Sequence, residues 1–130
     1  MLQRKGFTLL ELIIVIVVIG ILISFVWPKY TIVVEKSRVT EAKNMLSAIR
    51  HSQIRYYAAY YTYATNINSL DILRPILQRY FTYLTVGATS SRVGRATRTT
   101  TERVIPVTYI VYIDENGNFS INDSSLDYLL

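Results

Sequence analysis

Residues 7–27 read FTLLELIIVIVVIGILISFVW, a run of 21 residues whose one charge is Glu11. As a helix this run reaches roughly 31 Å, about the hydrocarbon thickness of a bilayer. A secretory signal peptide has a shorter apolar core and a small-residue cleavage site. Here the run ends in Ser24-Phe25-Val26-Trp27 followed by Pro28, so the expectation is that the segment is retained. Arg4 and Lys5 precede it, which by the excess of cations on cytoplasmic flanks keeps the N-terminus inside and residues beyond Trp27 outside. A span alone does not explain Glu11. A carboxylate at the centre of a bilayer helix costs about 2.5–3.5 kcal/mol, and less near the interface, so the bland reading is a side chain that reaches the headgroups.

Its neighbours suggest more. Gly6, between the cationic leader and Phe7, is where a protease at the cytoplasmic face would find an exposed small residue. A cut there creates an α-amino cation on Phe7, one helical turn from Glu11, and opposite charges in a low dielectric attract strongly. Between two helices packed with a stagger the same pair would cancel across the interface.

Beyond the span, Val39, Ala42, Leu46, Ile49, Gln53, Tyr56 and Tyr60 recur at spacings of three and four, with Lys36, Lys43, Arg50 and Arg55 on other faces. The pattern predicts one nearly continuous helix from about Phe7 to about Tyr61, roughly 80 Å long, which Pro28 can kink. The polar stretch 64–69 ends it, and Ser69 is expected to cap a short helical turn starting at Asp71. Tyr80–Val86 reads as a strand. Residues 87–103, GATSSRVGRATRTTTER, read as a loop with a weak strand inside. Val107–Ile113 and Asn118–Asn122 flank Asn116-Gly117, which predicts a hairpin closed by a type I′ turn. Tyrosines 56, 57, 60, 61 and 63 are expected to pack where helix meets sheet.

The stretch KGFTLLELIIVIVVIGIL, residues 5–22, closely resembles the N-terminal signature of type IV prepilins and of secretion-system pseudopilins. The resemblance implies an α+β "lollipop", one long N-terminal helix on a small antiparallel sheet. It implies cleavage by a prepilin peptidase between Gly6 and Phe7, and N-methylation of Phe7. Glu11 would pair with the Phe7 amine of a neighbouring subunit during assembly, and Gly20 and Pro28 would lie where such helices bend. The implied organisation is a leader over 1–6, a membrane and filament-core half helix over 7–28, an amphipathic half over 29–61 and a globular domain over 62–130. The implied function is a structural subunit of a type IV pilus-like filament. Its partners would be other copies of itself, the prepilin peptidase, the pilus assembly machinery and, before assembly, the cytoplasmic membrane; the assembled filament would lie at the cell surface. A pseudopilin or minor pilin of a type II secretion or competence apparatus is the alternative within the family. A single-span membrane protein with an external DNA- or ligand-binding domain is the alternative outside it.

There is no cysteine, so no disulfide brackets a C-terminal loop. Asp114-Glu-Asn-Gly-Asn has glycine fourth where a calcium loop needs it sixth, and reads as a turn. His51 is the sole histidine, and the five glycines form neither a dinucleotide fingerprint nor a phosphate loop. No nucleophile elbow surrounds any serine, so the reading is a non-enzymatic chain without cofactor or metal. Arg92, Arg95, Arg98 and Arg103 punctuate a Ser/Thr-rich stretch that reads as a solvated loop. Contact with DNA or another anionic surface, multiplied along a filament, is the alternative reading. The formal charge of +5 is only mildly basic. Asn118-Phe-Ser120 and Asn122-Asp-Ser124 match glycosylation sequons.

Overall fold

The computed structural model describes residues 6–72, 78–87, 91–99, 105 and 107–130. Helix α1 spans Leu9–Tyr60. Thr8 begins it in extended conformation, its hydroxyl accepting from the Glu11 N–H at 3.2 Å, which satisfies one of the free amides of the first turn. Tyr61 ends it in the left-handed region at φ 55°, donating its N–H to the Tyr57 carbonyl at 2.8 Å. The helix passes Gly20 and Pro28 without a break. Pro28 has no N–H to give the preceding turn, and nearby the Ser24 and Thr31 hydroxyls donate to the Ile21 and Pro28 carbonyls at 2.7 and 2.8 Å.

The two halves of α1 live in different surroundings. Along residues 9–30 every side chain is exposed, whereas a buried stripe of Glu35, Val39, Ala42, Leu46, Ile49 and Gln53 runs through the second half at spacings of four and three. That stripe faces a four-stranded antiparallel sheet of β1 (Phe81–Thr85), β2 (Gly94–Arg98), β3 (Ile110–Ile113) and β4 (Phe119–Ile121), in the order β1-β2-β3-β4. Tyr83, Ala96 and Val111 lie in register on the face turned to the helix, with Phe81 beside Arg98 and Gly94 beside Ile113. A 3-10 turn over Ser124–Leu129 closes one end of the core with Leu126 and Leu129. The α+β lollipop that the sequence implied is the fold observed.

Four local expectations change. The stretch 87–103 holds β2, a central strand and not a weak one. Its helix-facing residues Gly94 and Ala96 are small because the helix crosses close above them: a Cβ on Gly94 would stand 3.1 Å from Ile49 Cγ2 and 3.3 Å from Leu46 Cδ2. The hairpin loop is Glu115–Gly117, with Gly117 alone at positive φ (93°), so it is not type I′. Gly117 N–H donates to the Asp114 carbonyl at 3.2 Å, and the Asp114 carboxylate takes the Asn118 N–H at 2.8 Å, a turn followed by a glycine bulge. The Asn118 amide also donates to Asp114, and these bonds hold that carboxyl below its ordinary value. The short turn observed lies earlier, a 3-10 helix over Ile67–Ser69 capped by Asn66 with Leu70 already extended; Asp71 and Ile72 are not helical, and the rest of the turn expected after Ser69 lies outside the described residues. Finally the fully buried stripe ends at Gln53: Tyr56 and Tyr63 pack half-buried against the core as expected, whereas Tyr57, Tyr60 and Tyr61 stand exposed.

Candidate assembly interface

Phe7 is 84% exposed and Gly6 has no heavy atom beyond its chain neighbours within 4 Å of where a side chain would begin, so the bond between them is open to an enzyme. Glu11 sits in the first turn of α1 on the exposed surface, where the positive end of the helix dipole favours a carboxylate. From Leu9 to Val33 the large apolar side chains are uncovered, and this is a helix long and apolar enough to cross a membrane. Near its far end Leu22, Ile23, Val26, Trp27 and Tyr30 line an apolar groove of about 390 Å³. So large an exposed apolar surface on a soluble monomer marks an interaction site with lipid or protein.

The covered half begins at a buried ionic cluster. Glu35 Oε1 accepts from Arg98 Nε at 2.6 Å and from the Tyr109 hydroxyl at 2.7 Å, while Oε2 accepts from Arg38 at 3.2 Å and from the second arm of Arg98 at 3.3 Å. Arg98 also donates to the Tyr80 and Thr99 carbonyls at 3.0 and 3.3 Å. Burial raises the Glu35 carboxyl, but the bonds from Arg98 and Tyr109 and the charges of Arg98 and Arg38 outweigh it, leaving the group below its ordinary value. Burial and the Glu35 bond push the Tyr109 phenol far upward. The cluster ties α1 to β2 and to Tyr109, just before β3, where the bare stem enters the head. At the other end of the stripe Gln53 receives the Ala64 N–H at 2.8 Å and donates to the Ala64 carbonyl at 2.9 Å and the Val93 carbonyl at 3.3 Å, and Arg50 donates to the Glu115 carbonyl at 2.7 Å.

Among the described residues, Arg98 turns away from Arg92 and Arg95, which both neighbour Tyr112. Arg98 is 1% exposed and committed to Glu35, because its strand position turns it toward the helix, so it is not part of any polyanion surface. Arg95, one strand position that faces the other way, lies between Leu84 and Tyr112, and Arg92 stacks over the Tyr112 ring at 4.2 Å. Arg103 lies outside the described residues. His51 is exposed, and among the described residues no three or more His, Cys, Asp or Glu side chains are grouped to hold a metal. Glu35 is the residue that sequence reasoning missed. The signal was there, since position 35 is four residues before Val39 and continues the buried stripe.

A model of the prokaryotic N-terminal methylation motif matches residues 1–27. Fimbrial protein EcpC of Eikenella corrodens is 42% identical over 55 residues, which is 42% of this chain and 36% of that protein. Type II secretion system core protein G of Pseudomonas aeruginosa is 32% identical over 71 residues, 55% of this chain and 50% of that protein. The chain thus spans about a third to a half of the length of these curated relatives. This chain carries a prokaryotic N-terminal methylation motif and over part of its length is similar to a fimbrial and a type II secretion subunit.

Proposed function

We propose that the chain is a structural subunit of a type IV pilus-like filament, processed by prepilin peptidase between Gly6 and Phe7 and methylated on the new Phe7 amine. The observation that carries this reading is the asymmetry of α1: an uncovered apolar half bearing one acid, joined to a half that already has its own core. The uncovered half has two ways to leave water, in lipid as a precursor or against other copies in a polymer. In lipid the N-terminus faces the cytoplasm and the head lies outside, and assembly moves the stem from one environment to the other. Glu11 and the Phe7 amine of an adjoining copy neutralise each other once water is excluded, which sets the stagger between subunits. Gly20 and Pro28 are the positions at which the packed stem bends or loosens, glycine through its backbone freedom and proline through its missing donor. The pilus assembly machinery is the remaining partner.

A second reading, a pseudopilin of a secretion or competence apparatus, is favoured by the kinship with core protein G and uses the same stem. Filaments sheared from the cell surface separate the two. On the first reading electron microscopy finds fibres whose main peptides come from this chain and which vanish when its gene is deleted. Surface fibres unchanged by the deletion would reject it.

A further inference from the structure

We infer that a cleft beside the end of α1 is a binding site for the terminal neutral pyranose ring of a surface glycan. The cleft, about 200 Å³, is lined by Tyr56 and Tyr60 and by the polar side chains of Arg55, Asp71, Ser52 and Ser69. The tyrosine rings lie 4.6 Å apart between centroids at 37°, an open angled pair with Tyr60 65% exposed. In the same cleft Arg55 Nε and NH2 donate to the two oxygens of Asp71 at 2.9 and 2.7 Å, and the Ser52 hydroxyl bonds the same carboxylate. The main-chain N–H of Asp71 in turn donates to the Ser52 oxygen at 3.2 Å, so the polar wall is fixed to the helix.

The two kinds of lining side chain match the two kinds of surface on a sugar ring. A pyranose has a face of C–H groups, which packs on the electron-rich face of an aromatic ring, and an edge of hydroxyls that each donate and accept. The side-on pair engages two of the five N–H groups of Arg55, leaving three outside that pair beside a carboxylate with acceptor capacity left. The bonds from Arg55 and Ser52 hold Asp71 down to about 2, so it stays an acceptor at any physiological pH. The two charges cancel, which disfavours an anionic or cationic ligand. A drug-sized pocket has roughly 300–1,000 Å³, so this volume suits one ring and not a long segment. Tyr56 lies 22 residues beyond Val34, roughly 33 Å along the helix from the stem, so stem packing leaves the cleft open. The cleft stands whether or not the chain polymerises; only its repetition and the resulting avidity rest on the filament reading.

The test uses the full chain in a detergent without sugar headgroups, before any polymerisation. Methyl glucoside, methyl galactoside and methyl mannoside are the probes, read by saturation-transfer NMR, with a proline-rich peptide as a competing class. The expected result is transfer to the C–H face of at least one glycoside at roughly millimolar affinity, as befits a shallow site. That signal should fall at least fivefold in Tyr60→Ala and in Arg55→Gln, both exposed and outside the core, and persist in Tyr128→Ala. No transfer to any of the three sugars, equal transfer in Tyr60→Ala, or binding of the peptide alone would overturn the inference.

Discussion

Replacing Glu11 by Ala is expected to leave the chain in the membrane and to lower filament yield about a hundredfold. The magnitudes separate this from the bland reading. If Glu11 only favours the positive end of α1, its loss costs about 0.3–1 kcal/mol, a factor of about five at most. If it neutralises a Phe7 amine between packed helices, its loss strands that cation in a dry interface at about 3–5 kcal/mol per subunit. The Thr8 cap is unaffected, because the bond it receives comes from the main-chain N–H of residue 11. Insertion itself should be no worse, since removing a carboxylate from an apolar helix lowers the cost of entering lipid. Quantifying the chain in sheared filaments and in the membrane fraction checks both halves. Normal filaments from the Ala variant would reduce Glu11 to a solvated side chain.

Arg98→Ala should destabilise the head by about 3–5 kcal/mol, because it leaves the Glu35 carboxylate buried with much of its counter-charge gone. For a domain of this size that lowers the melting midpoint by more than about 10 °C. The double variant Glu35→Leu with Arg98→Met should recover much of the loss, since an apolar pair of similar volume removes both desolvated charges together. The same cluster gives stability an acid limb. The Glu35 carboxyl lies below its ordinary value of 4.5 in the folded chain, so its contribution is complete above that pH and is lost as pH falls through the depressed folded value. Asp71, held at about 2, has the same sign but is a surface group whose pair with Arg55 is screened. Thermal melts of the full chain in detergent, followed by near-ultraviolet circular dichroism from neutral pH downward, measure all three. An Arg98→Ala midpoint within a degree or two of the parent would show that the cluster does not hold stem to head.

The parts of the fold legible in the sequence are those whose cause is local. Apolar residues at spacings of three and four announced the helix and its buried stripe from Val39 to Gln53, and the paired β-rich runs announced the last hairpin. What escaped was set by distant chain. Gly94 has poor strand propensity and suits β2 because Leu46 and Ile49 press down on that strand at its position. Arg98 and Glu35, 63 residues apart in sequence, each look like solvated charges until the fold buries them against one another. Asn-Gly advertised one turn, but the Asp114 side chain secures a loop one residue longer. The tyrosines at the end of α1 depend on how far along the helix the sheet reaches, which no local pattern records. At the site itself, Gly6, Phe7 and Glu11 stand out because a lone carboxylate interrupts an aliphatic run, while a weak strand read inside the arginine stretch does not by itself tell that Arg98 is the residue turned inward.

Intact-mass spectrometry of this chain recovered from the assembled state bears most directly on the claim that a trimmed, charged stem end drives polymerisation. The account predicts a subunit that begins at Phe7, has lost residues 1–6 and carries one added methyl group. A subunit that retains its first six residues within the polymer would contradict it, because the Phe7 nitrogen would then be locked in a peptide bond and offer Glu11 no cation to meet.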